Sequence, residues 1–323
     1  MPVVYDVVIS TNSQFKQGMM AALGHGAQKA GYKVDFVINP EKFFSIKNFD
    51  NDFCCIFGWC KGLPSDFRWQ VINHFTSHGG DIKRACFFEG NVLRAKESGP
   101  YIKEPNGGLE SYNYYRFPFK SIISSESLFR GYHKLNLDNK INDILNNSKI
   151  KVKDWKQNKK YIIIYTNRGV GGWSHMGRDT KKWLLETITT IKKHTDRPII
   201  VKQHQSTHDL YEQRWSVIDK FPELQNSFYM KNLPKEIYDN AHCAVILSST
   251  VGAVTLVDGI PTFVDLDTAF VSPWSAGELK DIESPNLNVD RNDFLKLYAK
   301  CHWSVEEMKN GTMWKGIMEE EQS

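Results

Sequence analysis

Short apolar runs alternate with longer amphipathic stretches along the chain. In the first half, apolar runs at 3–10, 32–38, 52–59, 84–88 and 121–124 predict strands, and the patterns at 15–30 and 69–78 predict helices. Apolar runs without regular polar alternation are typical of strands that are covered on both faces. Because strands and helices follow one another at short intervals, this half is predicted to form a doubly wound parallel sheet.

A second series of the same kind begins at residue 161. Strands are predicted at 161–165, 198–202, 227–229, 245–247 and 262–265, and helices at 183–194, 210–221, 233–238 and 294–314. Ser304, followed three residues later by Glu307, predicts a capping box in the last helical region. The polar segment 136–160 between the two series is predicted to be an interdomain connection.

These patterns predict an α/β protein with two Rossmann-like, doubly wound domains that face a central cleft. The predicted domains are 1–135 and 161–323, the second with C-terminal helices, and 136–160 is the linker. At 323 residues the chain exceeds a usual single core, which also favours two domains.

Composition excludes fewer classes of protein than the pattern of apolar and polar positions does. Hydrophobic residues make up 41% of the chain and aromatic residues 13%, and the net charge of +4 permits an anionic partner without requiring one. The six cysteines lie mostly within or beside apolar runs, so we expect reduced core thiols. Neither a signal-peptide pattern nor an apolar run of about 18 residues is present, which predicts a cytoplasmic protein without a membrane span.

The stretch 244–265 carries the clearest candidate chemistry. An apolar run ends at Ser248, Ser249 and Thr250, a helix pattern follows, and a second strand pattern begins after Gly259. Hydroxyl groups at a helix start are suited to bind phosphate. The alternative is a capped strand-to-helix turn that binds no ligand.

Polar residues at other predicted strand ends extend this site. In the second half, Arg168, Gly169, Lys202 and His204 add cations and donors for a phosphate, although His204 is equally compatible with a structural role. In the first half, Glu89 follows an apolar strand pattern; it is either a general base with a pKa raised by burial or a helix cap. The remaining strand-end residues of that half, predicted to bind an acceptor, are Asn12, Trp59 and Asn91.

Metal ligands are not predicted. The histidines have no metal-ligand spacing, and Asp265-Leu266-Asp267 has the letters of a D-x-D motif but follows the last strand pattern. We therefore expect no metal and no cofactor.

Three ordered motifs resemble those of bacterial sialyltransferases and capsule-type Kdo transferases of the GT-B class. Ser248-Ser249-Thr250 resembles their donor-phosphate motif. Lys202-Gln203-His204-Gln205 resembles their His-Pro motif with Gln205 in place of proline, and Phe88-Glu89-Gly90 resembles their acidic-acidic-Gly motif with Phe88 in place of the first acid. The segment from Asn167 to Asp179 is also similar to phage-encoded transferases.

The resemblance implies a metal-independent glycosyltransferase that uses a nucleotide sugar as co-substrate, with Glu89 as base and His204 at the leaving phosphate. The expected acceptor is a hydroxymethylated base in phage DNA, and a surface polysaccharide or lipid-linked glycan is the alternative. Six lysines between Lys149 and Lys160 either contact double-stranded DNA or form a solvated linker surface. The other class that the residues leave open is a non-catalytic protein that binds a phosphorylated ligand, or an epimerase-like enzyme on the same scaffold.

Overall fold

The computed structural model describes residues 2–8, 14–58, 67–90, 114–116, 137–147, 151–167, 178–204, 210–230, 232–267 and 269–321. The chain divides into two units, the first comprising Met1–Ile150 with Leu295–Ser323 and the second Lys151–Phe294.

In the described part of the chain the strands are, in order, β1 (Val3–Val7), β2 (Lys33–Phe36), β3 (Phe53–Phe57), β4 (Ala85–Gly90), β5 (Tyr114–Arg116), β6 (Tyr161–Tyr165), β7 (Ile199–Lys202), β8 (Phe228–Tyr229), β9 (Ala241–Ile246), β10 (Thr262–Val264) and β11 (His302–Ser304). The α-helices of the same ranges are α1 (Gln14–Lys29), α2 (Pro40–Ser45), α3 (Phe67–Ser77), α4 (Leu137–Asn147), α5 (Thr180–Ile191), α6 (Leu210–Lys220), α7 (Lys235–Asp239), α8 (Val251–Val257), α9 (Arg291–Cys301), α10 (Val305–Lys309) and α11 (Thr312–Glu321).

The first unit contains a mixed sheet with the order β11-β5-β4-β3-β1-β2. Strands β1 to β4 are parallel, while β5 runs antiparallel to β4 and β11 antiparallel to β5. The second unit contains a fully parallel sheet with the order β10-β9-β6-β7-β8. Both sheets wind outwards in two directions from a central strand, which confirms the predicted α/β class with two doubly wound units.

Each unit has its own apolar core. In the first unit, Met19, Leu23 and Ala27 of α1 pack with Trp303 and Trp314 over the apolar residues of the sheet. In the second unit, Trp183, Leu184 and Ile188 of α5 pack over Ile162, Val245 and their neighbours. The cysteines Cys54, Cys55, Cys86, Cys243 and Cys301 are buried and unbridged, as predicted, and Cys60 lies outside the described residues.

The C-terminal segment belongs to the first unit, whereas 161–323 was predicted to form one domain. Strand β11 completes the first sheet beside β5, and the indole Nε1 of Trp314 donates to the carbonyl of Leu23, 3.0 Å away. A Cβ on Gly26 of α1 would overlap the carbonyl oxygen of Met308, so α10 packs directly on α1. Burial of the aromatic side chains against α1 holds this segment in the first unit. The predicted capping box is confirmed, with Ser304 and Glu307 each accepting from the other's backbone N–H.

The prediction of a single linker at 136–160 is wrong in its first half. Residues 137–147 form α4, whose Ile144 is 2% exposed. The Nζ atom of Lys140 on this helix lies 3.2 Å from the centroid of the Trp303 ring. Ile144 and Lys140 thus attach α4 to the first unit, although most of its residues are asparagine, aspartate and other polar types.

Residues 151–160 lie against the second unit. The backbone N–H of Lys153 donates to Val257 and that of Lys156 donates to Gly259, at 2.9 and 2.6 Å. Gly259 has φ of +70°, and a Cβ there would overlap the carbonyl of Asp154. This segment is therefore a bound part of the unit rather than a solvated connection.

Candidate functional site

The carboxyl edge of the second sheet holds most of the phosphate ligands predicted from the sequence. Strand β6 lies between β7 and β9, so the chain winds to one side through β7 and β8 and then to the other through β9 and β10. Ligands of open α/β sheets bind outside the carboxyl ends of the strands where this reversal occurs. We call Thr166, Asn167, Lys202, His204 and Ser248, which follow or end β6, β7 and β9, the strand-end site.

Asn167 and Ser248 meet across the point of reversal. Tyr165 is paired with Ile246, so these two residues, each two positions further on, are level with one another. The Nδ2 atom of Asn167 donates to Oγ of Ser248 at 2.6 Å, and the residues are 4% and 8% exposed. The phosphate role was predicted for Ser248 but not for Asn167, because a contact between residues 81 positions apart has no local signal. A hydroxyl held in this way is pre-oriented for a ligand at the sheet edge.

Lys202 brings a half-buried ammonium group to the same edge. Its Nζ donates to the carbonyl oxygens of Gln203 and Met230, at 2.8 and 3.1 Å. Burial lowers the pKa of Lys202, and no charge in the described part of the chain opposes that effect. Since the ammonium group has three N–H donors, an anionic ligand here would gain a charge-assisted bond. Lys202 and Ile246 flank Tyr165 on its two neighbouring strands, roughly 10 Å apart.

His204 lies two residues beyond β7 with an exposed side chain. Its backbone N–H donates to Oγ1 of Thr166 at 3.1 Å, and the N–H of Thr166 donates to the carbonyl of Lys202 at 3.0 Å. These bonds fix the end of β7 to the end of β6. Thr166 is a structural residue of the site that was not predicted from the sequence, where it is one polar residue among several.

The turn from β9 leads into a short helix, α8, whose N-terminus has little side-chain capping. Oγ of Ser249 accepts from the N–H of Val251 at 3.3 Å, and the side chain of Thr250 makes no capping bond. Helix α8 has only seven residues, Val251–Val257, so its dipole is small. The donors that matter for an anion are therefore side chains, and the predicted contribution of the helix N-terminus is minor.

Arg178 and Asp265 form an ion pair at this edge that the sequence did not predict. Nη1 of Arg178 lies 2.6 Å from Oδ2 of Asp265, and the side chains are 50% and 34% exposed. The N–H groups of Asp265 and Leu266 donate to Ile246 and Leu247, so the carboxylate sits beside the residues that lead into Ser248.

Glu89 was predicted to follow a strand at 84–88, but it lies within β4. Its backbone is opposite Arg116 in the antiparallel pairing with β5, one residue beyond the last pairing of β4 with β3 at Phe88. The short strand β5 pairs with β4 beyond the point where the pairing of β4 with β3 ends. The sequence has no apolar run there that predicts β5. Glu89 is therefore the penultimate residue of β4. Asn12, Trp59, Asn91, Arg168 and Gly169 lie outside the described residues.

In the described part of the chain, no group of three or more His, Cys, Asp or Glu side chains is arranged to hold a metal ion. None of its helices is long and apolar enough to cross a bilayer.

The fold defines a class: an α/β protein with two doubly wound sheets, the second of which carries hydroxyl, amide and cationic side chains at its strand ends. Neither a family model nor a curated protein matches the chain. Among solved structures, it is similar to "Thermosulfurimonas dismutans KpsC, beta Kdo 2,7 transferase", with 12% identity, a TM-score of 0.46 and coverage of 98% of both chains. It is also similar to "Thermosulfurimonas dismutans KpsC, beta Kdo 2,4 transferase", with 11% identity, a TM-score of 0.47 and coverage of 93% of this chain and 90% of that one.

A third similarity is to an "S. aureus MnaA-UDP co-structure", at 12% identity and a TM-score of 0.30, covering 98% of this chain and 94% of that one. These similarities concern the course of the chain. The chemistry of the strand-end site rests on its own residues.

Proposed function

We propose that this protein is a metal-independent glycosyltransferase that moves a sugar from a nucleotide sugar to an acceptor hydroxyl. The observation that carries the proposal is the half-buried ammonium group of Lys202, which faces neutral carbonyl oxygens at the sheet edge that also carries the Asn167–Ser248 pair. A phosphate at this edge would receive a charge-assisted bond from Lys202 and a hydroxyl bond from Ser248. The ordered trio of sequence motifs supports the same assignment.

The proposed step is a displacement at the anomeric carbon of the donor sugar. The acceptor oxygen forms a bond to that carbon while the bond from the carbon to the donor phosphate oxygen breaks, and the nucleotide leaves with the electron pair. The carboxylate of Glu89 takes the proton of the acceptor hydroxyl, and His204 with Lys202 stabilises the charge that develops on the phosphate. With Glu89 as base and a single displacement, the anomeric configuration inverts.

For the acceptor, we propose a hydroxymethylated base in phage DNA. Its support is the basic segment 151–160, where Lys151 and Lys160 are exposed. Two other lysines of the segment are engaged within the unit. Lys153 is ion-paired with Asp258 at 2.6 Å, and Nζ of Lys156 donates to the carbonyl of Tyr238. A polysaccharide or lipid-linked glycan acceptor needs no such lysines, so salt-sensitive binding to DNA separates the two acceptors.

The decisive experiment is mass spectrometry of products after incubation with a panel of nucleotide sugars and both acceptor classes. A glycosylated product with release of free nucleotide is expected. Lys202→Met should lower kcat/KM by about 10-fold or more, the size expected for one charge-assisted bond. Lys192→Met is the matched control, because Lys192 forms an exposed ion pair with Glu223 at the other end of α5.

The outcomes separate the two classes of function. If nucleotides bind with an affinity that depends on Lys202 but no donor and acceptor pair gives product, the protein is a non-catalytic binder of a phosphorylated ligand. If no nucleotide binds, the strand-end site does not hold phosphate and the transferase proposal is refuted.

A further inference from the structure

The Arg178–Asp265 ion pair occupies the carboxyl edge of the second sheet without an evident structural role. The pair joins one nitrogen to one oxygen and not the two parallel bonds that an arginine and a carboxylate can form. Half of the Arg178 side chain is exposed, and pairs of this kind contribute little to stability because water screens them. Asp265 is also the first acid of the D-x-D sequence that the proposed chemistry leaves without a role.

Arg178 directly precedes the N-cap residue of α5. That residue is Asp179, and its Oδ1 accepts from the N–H groups of Lys181 and Lys182 at 2.9 and 3.1 Å. This helix terminus is therefore already occupied by a carboxylate, which disfavours an anionic ligand at the helix N–H groups themselves. The guanidinium group of Arg178 is the cation here that is paired with the sheet edge, through Asp265.

Asp265 holds the guanidinium group beside the end of β9. The N–H of Asp265 donates to Ile246 at 3.0 Å, and that of Leu266 donates to Leu247 at 3.1 Å. Ser248 is the next residue of that chain segment. Its Oγ accepts from Asn167, so the pair and the strand-end site lie on adjoining residues of one sheet edge.

We propose that the guanidinium group of Arg178 binds the phosphate of a nucleotide. Without a ligand this group is paired with Asp265, and the pair breaks when the nucleotide binds. This inference rests on the proposed function, since it names a further ligand of the same donor site. A phosphate with two negative charges offers a planar guanidinium group two acceptor oxygens, whereas Asp265 engages one nitrogen. Binding therefore exchanges a single, exposed contact for a bidentate one, and the carboxylate competes with the ligand.

Competition makes the two partners respond in opposite directions. Arg178→Gln should weaken the binding of a nucleoside diphosphate by about 10-fold, the value of one strong charge-assisted interaction. Asp265→Asn frees the guanidinium group and should strengthen the same binding several-fold. A purely structural ion pair would respond to both substitutions in the same direction, and only through stability.

The test is calorimetric titration of the full-length protein with UDP, GDP, CDP and CMP, and with uridine and cytidine as probes that lack phosphate. Arg178→Lys should bind with intermediate affinity because it keeps the charge but loses the planar fork. Lys192→Gln, which removes an exposed ion pair at the far end of α5, is the control and should bind as the wild type does. Thermal melting of each variant checks that it is folded.

The results assign failure to one proposal or the other. Opposite shifts for the nucleotides, with no shift for any nucleoside, support the exchange. Wild-type affinity in Arg178→Gln, or equal weakening in Arg178→Gln and Asp265→Asn, overturns the role of Arg178 while nucleotide binding itself stands. Absence of binding by every nucleotide to the wild type overturns the donor site and this inference together.

Discussion

Asp6 of β1 should make the first unit less stable as the pH rises. The residue is fully buried, and within the described part of the chain neither carboxylate oxygen has a hydrogen-bond partner of normal geometry. Burial raises the pKa of Asp6 well above its usual value, and the nearby backbone of Gly24 opposes this only in part. The folded protein therefore keeps a proton on Asp6 at pH values where the unfolded chain has lost it.

The sign and size of the effect follow from proton linkage. Above the ordinary pKa of about 3.9 and below the raised value, the native state binds one more proton than the unfolded state. The free energy of unfolding then falls by about 1.4 kcal/mol for each pH unit. Asp6→Asn has nearly the same shape but does not titrate, so its stability relative to the wild type should grow by that amount per pH unit.

Urea unfolding at pH 5, 6 and 7, followed by tryptophan fluorescence, measures this difference. Trp303 and Trp314 lie in the apolar core that packs on the same sheet and report on the first unit. Asp35→Asn is the control, because Asp35 is ion-paired with Lys42 at the surface. Parallel pH profiles for the wild type and Asp6→Asn would show that Asp6 is ionised in the native state and would refute the argument.

Three further predictions concern how the C-terminal segment is held in the first unit. Gly26→Ala should lower the free energy of unfolding by about 1–3 kcal/mol in urea titration, because the new methyl group overlaps the carbonyl of Met308; an unchanged midpoint would contradict the close packing of α1 on α10. Burial lowers the pKa of Lys140 to about 8, so the wild type should gain stability relative to Lys140→Met between pH 8 and 10, where the unfolded lysine still binds a proton; equal pH profiles would contradict this. Ser304→Ala removes the capping bond to Glu307 and should cost about 1 kcal/mol, measured as a lower melting temperature, with Ser304→Thr as the variant that keeps the cap.

The predictions that held come from strands buried on both faces. The apolar run at 161–165 became β6 with the same bounds, because a run with no polar side chain has no other stable place than the centre of a covered sheet. The strand pattern predicted at 245–247 overlaps the end of a longer strand, Ala241–Ile246, whose second residue is the buried His242. A polar residue near the beginning of a strand interrupts the apolar run, so the pattern alone predicts that the strand begins later than it does.

The errors arose where tertiary contacts decide the structure. Strands β5 and β11 have three residues each, and they pair with one another although 188 positions separate Tyr115 from Trp303. No local pattern announces such a pair. The sequence also implied a C-terminal domain that continues to the end of the chain, because helical patterns show amphipathicity but not the surface on which they pack.

The candidate site was predictable in its residue types and not in its contacts. Ser248 and Lys202 follow directly from polar residues at strand ends, and parallel pairing brings those ends to one edge. The bond from Asn167 to Ser248 and the pair of Arg178 with Asp265 join residues 81 and 87 positions apart. Their partners are set by strand order, which a single sequence does not specify.

The last 29 or so residues have a consequence for how the protein is made. The first unit is interrupted by the second and closes only when Leu295–Ser323 has been added. At roughly 5–20 residues per second, a ribosome takes about 9–35 s to pass from residue 150 to residue 323. During that interval the second unit is synthesised while β1 to β5 lack β11 and the tryptophans that cover them. The nascent chain thus carries an uncovered apolar sheet face, and we expect general chaperones to bind there until residues 295–323 have been added.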